Sequence, residues 1–351
     1  MKKIKVYVCD NICNDVDSFC KRFCLSELKT EYEIIWDNKE PDYLIATEHI
    51  YYFSKCMKKF KKLYRKAKIT LFWAGECIFP DMNIFDYAVC WDSAFALDDR
   101  ICRITPEIFN PFKTDYKIIT SINEAKELVK QKSGFCNFIY SNPNAHSMRD
   151  NIYKALSGYK RVDSLGKHLN NMSTIGTGFS GHEQETTLLK ENYKFSIAAE
   201  NAAYKGYTSE KVMTSLQAHT IPIYWGNSDV ATEYNDKAFI NANKFQNLDD
   251  LVKCIKLIDQ SDELWCKYIC EPMYTEEQER SREERIKKYK DFFRYIFKQS
   301  LEEAQRRPEG YHPSKYRKYF FLPNAMYILA MNEWKRNIKN LFVRLCKGIK
   351  V

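Results

Sequence analysis

No stretch of this sequence reaches the about eighteen uncharged apolar residues that a membrane-spanning helix needs. The opening "MKKIKVYVCD" follows its lysines with only a short strand-like run, so no secretory signal is expected. A soluble or peripheral protein is the expectation. The thirteen cysteines are odd in number and follow no disulfide framework. Cys9, Cys13, Cys20 and Cys24 form C-x3-C-x6-C-x3-C, which is not a usual zinc spacing, and Cys9 ends a strand-like run. Reduced thiols are the expected state. His146, His168, His182 and His219 show no metal spacing, so no metal site is expected and each histidine reads as a core or surface residue. No G-x-S-x-G elbow and no His-Cys pairing argues for acyl transfer. Low-complexity tracts and internal repeats are also missing.

What is present suits two cores. The chain has 351 residues, 45% of them hydrophobic, with 24 Tyr and 22 Phe. The net charge of +9 is concentrated in two places. Residues 51–68, "YYFSKCMKKFKKLYRKAK", hold eight Lys/Arg and no acid; residues 335–351, "KRNIKNLFVRLCKGIKV", hold six and no acid. The remainder is mildly acidic. In the first stretch, positions 53, 56, 57, 60, 63, 64 and 67 recur at helical spacing, which predicts a core-facing helix with a solvated lysine face. Nucleic-acid binding is the competing class, but no DNA- or RNA-binding motif accompanies the lysines.

Strand-like and helix-like segments alternate. "IKVYVCD", "YEIIW", "DYLIAT", "ITLFWAGE" and "DYAVCW" read as buried parallel strands of βαβ units. The pattern weakens across residues 103–117, where a domain boundary is expected. It resumes with "GFCNFIYSNPN", "YKRVDSLG", "KFSIAAEN", "TIPIYWG" and "KAFINAN", with helices expected at 146–158, 183–191, 209–219, 247–260 and 262–270. The expected division is 1–112, 113–274, a charged helix in 275–310, broken at "PEGYHP", and a basic aromatic tail at 311–351.

Three segments could carry chemistry at the carboxyl ends of strands, where open α/β sheets bind ligands. In "AENAAYKGYTSEKV", a strand, a polar loop and a helix follow one another. Ser209 is the expected N-cap, with Glu210 and Lys211 in the first turn. Such an end, with a lysine added, suits an anion such as a nucleotide diphosphate. Gly206 suggests a positive φ. That loop lacks both G-x-G-x-x-G and G-x-x-x-x-G-K-[ST], so it is neither a dinucleotide fingerprint nor a Walker loop. In "YSNPNAHSMRDNIYKAL", Arg149 falls in the first turns of a helix, as a bidentate phosphate partner would. In "LFWAGECIFPD", a strand ends at Gly75-Glu76, where a carboxylate could serve as a base. Taken singly, each has an ordinary structural reading: a capped helix, an exposed Arg, a loop carboxylate.

Together, in this order, they resemble the α-1,3/4-fucosyltransferases of glycosyltransferase family 10. "KFSIAAENAAYKGYTSEKVMTSLQAHTIPIYWGNSDVATEYNDKAFINANKF" (194–245) resembles that family's donor-binding run. "FCNFIYSNPNAHSMRDNIYKAL", "VDSLGKHLNN" and "FWAGE…FDYAVCWD" resemble its other blocks, so the likeness covers about residues 70–270. It implies an α/β fold of the GT-B type, with two Rossmann-like domains and a C-terminal helical tail. The implied activity is inverting transfer of L-fucose from GDP-fucose to a GlcNAc-containing, LacNAc-like acceptor, as in Lewis-type antigen synthesis. The linkage implied is α-1,3, with α-1,4 left open. Carried over by position, Glu76 resembles the catalytic base, and Glu210 steadies charge on the sugar ring or contacts ribose. Asn142, Arg149, Glu200, Asn201, Tyr207, Ser209 and Lys211 match donor-binding positions, with Arg149 and Lys211 neutralising the diphosphate. No cofactor is implied, with stimulation by a divalent cation left open. Ser209 stands where the family usually has Thr, and "AAEN" replaces the commoner "FEN". The alternatives are another nucleotide-sugar transferase of this fold and a non-catalytic membrane- or nucleic-acid-binding protein.

In 335–351, Ile338, Leu341, Phe342, Leu345 and Ile349 fall on one helical face, and Lys335, Arg336, Lys339, Lys347 and Lys350 on the other. That pattern suits an interfacial helix on an anionic membrane surface. The expected location is cytoplasmic, peripheral on the inner face of the cytoplasmic membrane.

Overall fold

The computed structural model describes residues 1–92, 99–109, 117–172, 183–321, 334–335 and 337–339. It divides into two units, each treated by itself. The first comprises Met1–Cys90, Ala94–Ile104 and Lys288–Val351; the second comprises Trp91–Ser93 and Thr105–Lys287. The expected boundary at 112/113 lies outside the described residues, and among its described neighbours Ile104 and Thr105 already belong to different units.

In the first unit, β1 (Lys2–Cys9), α1 (Val16–Arg22), β2 (Tyr32–Trp36), β3 (Tyr43–Thr47), α2 (His49–Tyr52), α3 (Ser54–Tyr64), β4 (Ile69–Trp73), β5 (Tyr87–Cys90) and β6 (Ile101–Arg103) follow in chain order. The strands form one sheet in the order β2-β1-β3-β4-β5-β6, and every pairing is parallel. β3, β4 and β5 are buried along their whole length, which is why they read as unbroken apolar runs. Cys56, Met57, Phe60 and Leu63 of α3 are buried, as its helical spacing predicts.

The second unit contains α4 (Pro106–Phe109), α5 (Ile122–Gln131), β7 (Gly134–Phe138), α6 (Ser147–Tyr159), β8 (Val162–Ser164), α7 (Glu183–Lys190), β9 (Tyr193–Ala199), α8 (Lys211–Gln217), β10 (Ile221–Trp225), β11 (Ile240–Asn241), α9 (Leu248–Asp259) and α10 (Asp262–Ile269). Its parallel sheet has the order β11-β10-β9-β7-β8. β7 and β9 are central, and their side chains join those of α5, α6, α9 and α10 in one core.

The chain then returns to the first unit through α11 (Glu276–Lys298), α12 (Leu301–Ala304) and α13 (Tyr311–Phe320). α11 is charged overall but buries Tyr289, Phe293, Ile296 and Phe297. The Tyr289 hydroxyl donates to the Phe23 carbonyl at 2.8 Å and accepts from Trp73 Nε1 at 3.2 Å. α11 ends ten residues before "PEGYHP", because Ser300 starts α12 with a reciprocal capping box to Glu303. The return is fixed by Asp86, whose buried carboxylate accepts from Arg306 N (2.8 Å) and Arg307 N (2.7 Å) and pairs with Arg307 Nε (3.0 Å). Beyond α13, Phe321 packs on Phe60 and Tyr64 of the α3 segment. Most of the amphipathic tail at 335–351 lies outside the described residues, as does His182. Among the described residues no helix is long and apolar enough to cross a membrane, and each cysteine is a free thiol.

Candidate active site

The carboxyl ends of β7, β9 and β10 bring most of the predicted donor-site residues into the second unit. Beyond β7, Tyr140 is buried and its hydroxyl bridges to β9: it accepts from Ala199 N at 2.8 Å and lies within donor range of the Ile197 and Ala199 carbonyls, at 2.9 and 3.0 Å. Burial pushes this phenol upward in pKa, while Lys211 and Arg149 both pull it down. The two predicted cations therefore act on the same phenol, although they stand on different strand ends.

Arg149 lies one turn into α6 and is only 3% exposed. Its guanidinium sits 4.4 Å from the centre of the Tyr140 ring, and Nη2 donates to the Asn142 carbonyl at 2.5 Å. Nε is 3.8 Å from Asp150 Oδ1 and makes no hydrogen bond among the described residues. Asn142 thus holds Arg149 with its main chain, while its side chain accepts from Asn144 N at 2.9 Å. His168, read from the sequence as a core or surface residue, is mostly buried, and its Nε2 lies 2.9 Å from Asp150.

Ser209 is not the N-cap. Glu210 occupies that position with helical angles and no side-chain cap bond, and α8 begins at Lys211. Ser209 is instead drawn to Glu200, whose carboxylate accepts from Ser209 N at 2.8 Å and Ser209 Oγ at 2.6 Å. Lys211 Nζ completes the cluster, 2.7 Å from Ser209 Oγ, 3.2 Å from Glu200 Oε2 and 3.4 Å from Glu210 Oε1. Glu200 is wholly buried, and burial raises its pKa against the opposing pull of Lys211. It is therefore the anchor of the loop rather than a group presented to a ligand. Desolvation is the largest influence on Glu210 and pushes it upward, but Lys211, its own backbone N–H and Lys190 together outweigh it, and the carboxyl lies below its ordinary range.

The loop's glycines are specified by geometry. Gly206 has φ 90°, and its N–H donates to Asn227 Oδ1 at 2.8 Å. Gly226 has φ 149°, and a Cβ there would lie 2.5 Å from Glu200 Cγ. Tyr207, expected at the donor, is buried and packs edge-on against Trp91 at 4.9 Å. Asn201 contributes its carbonyl to His146 N at 2.8 Å. His146 caps α6 through Nδ1, and its ring lies 4.6 Å from that of Trp225 at the end of β10. Sequence reasoning missed this aromatic pair, because its members come from strand ends far apart in the chain. It also missed Lys190, which is buried beneath α8 and donates to Thr214 Oγ1 (2.7 Å) and Ser215 Oγ (3.0 Å). Burial lowers its pKa to about 7.

The first unit places Glu76 three residues beyond β4, partly exposed. Gly75 N donates to Glu48 Oε2 at 2.8 Å, and a Cβ on Gly75 would lie 2.7 Å from Glu48 Oε1. Glu48, which sequence reasoning also missed, is buried; burial raises its pKa, and the charge of Glu76 adds to the rise. This sheet edge therefore carries two neighbouring carboxylates.

The family model for glycosyltransferase family 10 (fucosyltransferase), C-terminal part, matches residues 129–306. The chain belongs to this family. Among relatives of family 10 members, the α-(1,3)-fucosyltransferase FucT of Helicobacter pylori is 30% identical over 224 residues, covering 56% of this chain and 45% of that protein. Protein R654 of Acanthamoeba polyphaga mimivirus is 34% identical over 218 residues, covering 60% of this chain and 35% of that protein. The chain thus spans less than half the length of these relatives. A solved α1,3-fucosyltransferase with GDP-fucose superposes with a TM-score of 0.63 at 22% identity, covering 86% of this chain and 92% of that one. The family 10 member described here shares its fold, which is the α/β GT-B class expected from the sequence.

Proposed function

We propose that this family 10 member is an inverting fucosyltransferase that moves L-fucose from GDP-fucose to a hydroxyl of a GlcNAc-containing glycan, in α-1,3 linkage. The observation that carries the reading is a pair of cations beyond the ends of β7 and β9, Arg149 over the Tyr140 ring and Lys211 against Glu200 and Ser209, each held by partners fixed in the fold. Two preorganised cations suit a diphosphate, whose negative charge grows as the bond from the anomeric carbon to the phosphate oxygen breaks. The acceptor oxygen forms the new bond from the opposite face, so the carbon inverts. Its proton passes to a carboxylate, the role assigned to Glu76. Glu210, ionised beside Lys211, is assigned to the ribose or to positive charge on the sugar ring. With Arg149 and Lys211 taking the leaving-group charge, the reading calls for no cofactor. GDP-fucose and a LacNAc-like acceptor are the expected partners. The amphipathic tail is assigned to an anionic membrane surface, at the inner face of the cytoplasmic membrane.

The test is a panel of nucleotide sugars with LacNAc-type acceptors, reading GDP release and product linkage. GDP-fucose is expected to be the productive donor; turnover only with another nucleotide sugar would replace the reading with a different transferase. Lys211→Ala should weaken GDP binding by about one to two orders of magnitude, and unchanged affinity by calorimetry would remove that role. For the tail, truncation after Phe321 spares its packing on α3. An unchanged soluble fraction after that truncation would count against membrane contact.

A further inference from the structure

The first sheet changes winding direction at β1, with β2 on one side and β3 and every later strand on the other. The crevice outside the carboxyl ends of β1 and β3 is therefore a topological switch point, where open α/β sheets place ligands. The two strand ends are tied there by Asn11 N donating to His49 Nδ1 at 3.3 Å. A cavity of about 550 Å³ opens at this crevice, lined by Tyr7, Asp10, Asn11, Phe53 and the lysines of α3. A second cavity of about 450 Å³ shares Lys59 and Lys62 with it and runs on past β2.

Lys55, Lys58, Lys59 and Lys62 recur at i, i+3, i+4 and i+7, so they occupy one face of α3. Lys59 is held in place: Nζ donates to the Asn38 carbonyl at 2.9 Å and lies 4.9 Å above the Tyr7 ring. Lys55, Lys58 and Lys62 make no ion pair and no hydrogen bond among the described residues. The acids around the groove are already engaged, Asp10 with Arg22 at 3.3 Å, Asp37 with Lys5 at 3.3 Å and Glu40 with Lys66 at 3.1 Å. The groove thus keeps an excess of positive charge over an aromatic floor.

We propose that this groove binds the anionic part of the acceptor, so that the preferred acceptor is an acidic glycan carrying a carboxylate, sulfate or phosphate. The inference rests on the fucosyl-transfer reading, because Glu76 stands on the same sheet edge. β1, β3 and β4 are adjacent, so about 10 Å separates the axes of β1 and β4, a span that a short oligosaccharide bridges. Phe53 offers an apolar wall for a sugar ring, Lys59 is held over Tyr7, and the exposed lysines offer charge for the acidic substituent. The concave form and its size suit a small ligand rather than a membrane surface or a duplex.

The experiment uses the full chain and a matched pair, N-acetyllactosamine and its 3′-sialylated form, with native protein and the exposed triple variant Lys55→Ala/Lys58→Ala/Lys62→Ala. Calorimetry should show tighter binding of the sialylated glycan by native protein, weakened about tenfold in the variant and by added salt. In transfer assays the ratio of kcat/KM for charged over neutral acceptor should fall by a similar factor. Equal binding of the two glycans by native protein, or an unchanged ratio in the variant, overturns the proposal. So does tighter binding of phosphatidylglycerol vesicles or of a single-stranded oligonucleotide than of the sialylated glycan. If neither glycan is fucosylated while lysine-dependent binding of the charged one persists, the transfer reading falls and the acidic-glycan groove stands.

Discussion

The two sheets of this family 10 protein present their cations in opposite ways. In the second unit, Arg149 and Lys211 are buried or mostly so and held by Tyr140, Asn142, Glu200 and Ser209. In the first unit, Lys55, Lys58 and Lys62 stand exposed on α3. Fixed cations in a desolvated setting can follow charge that develops at a defined atom, without reorganising as it forms. Mobile exposed lysines are screened by salt and suit recognition of a charged ligand whose exact position matters little. On the proposed reading, chemistry falls to the locked set and selection to the loose one.

The largest effect should come from separating the proton acceptor from the donor site. Glu76→Ala is expected to lower kcat by about three orders of magnitude, while GDP affinity stays within a factor of a few. Near-normal turnover would remove Glu76 from the chemistry. Next, Glu200→Ala should destabilise the protein by about 3 kcal/mol in urea unfolding, since it leaves Lys211 and Ser209 without their buried partner. Glu200→Gln should recover much of the loss; if Glu200→Ala melts like native protein, the cations of the second unit are not locked as described.

A smaller effect concerns pH. Burial holds Lys190 down to about 7. Between that value and its unfolded pKa, about 10.4, the unfolded chain carries a proton that the folded chain lacks. Stability should therefore rise with pH through this window and be flat below it. Between pH 7.5 and 9 the contribution is about 2 kcal/mol, and Lys190→Met should remove it. An unchanged slope in the variant would show that Lys190 is charged when folded. Smallest is Arg149→Lys, which keeps the charge and loses the planar fork over Tyr140; GDP affinity should drop about tenfold. No change would mean that Arg149 acts as a point charge alone.

The strands of the first unit were legible because both faces of β3, β4 and β5 are buried, so their sequences are mostly apolar runs bounded by polar turns. The order of Glu76, Arg149 and Lys211 along strand ends was legible for the same reason. Ser209 was misread as a cap because local spacing carries no sign of Glu200, the buried carboxylate nine residues earlier that captures it. The pairing of His146 with Trp225 depends on β7 and β10 lying either side of β9, which periodicity does not reveal. Had "SLEE" been read as a capping box, the end of α11 would have been placed correctly.

The clamp of Asp86 on the backbone of Arg306 and Arg307 has a consequence for biosynthesis. A ribosome releases the whole of the second unit before the segment that finishes the first. The second unit can therefore mature early, while the first waits with the sites for Tyr289 and Phe293 unfilled. Nascent chains stalled before residue 288 should present a folded C-terminal half and a chaperone-binding N-terminal half, reversing the usual order in which a chain acquires its domains.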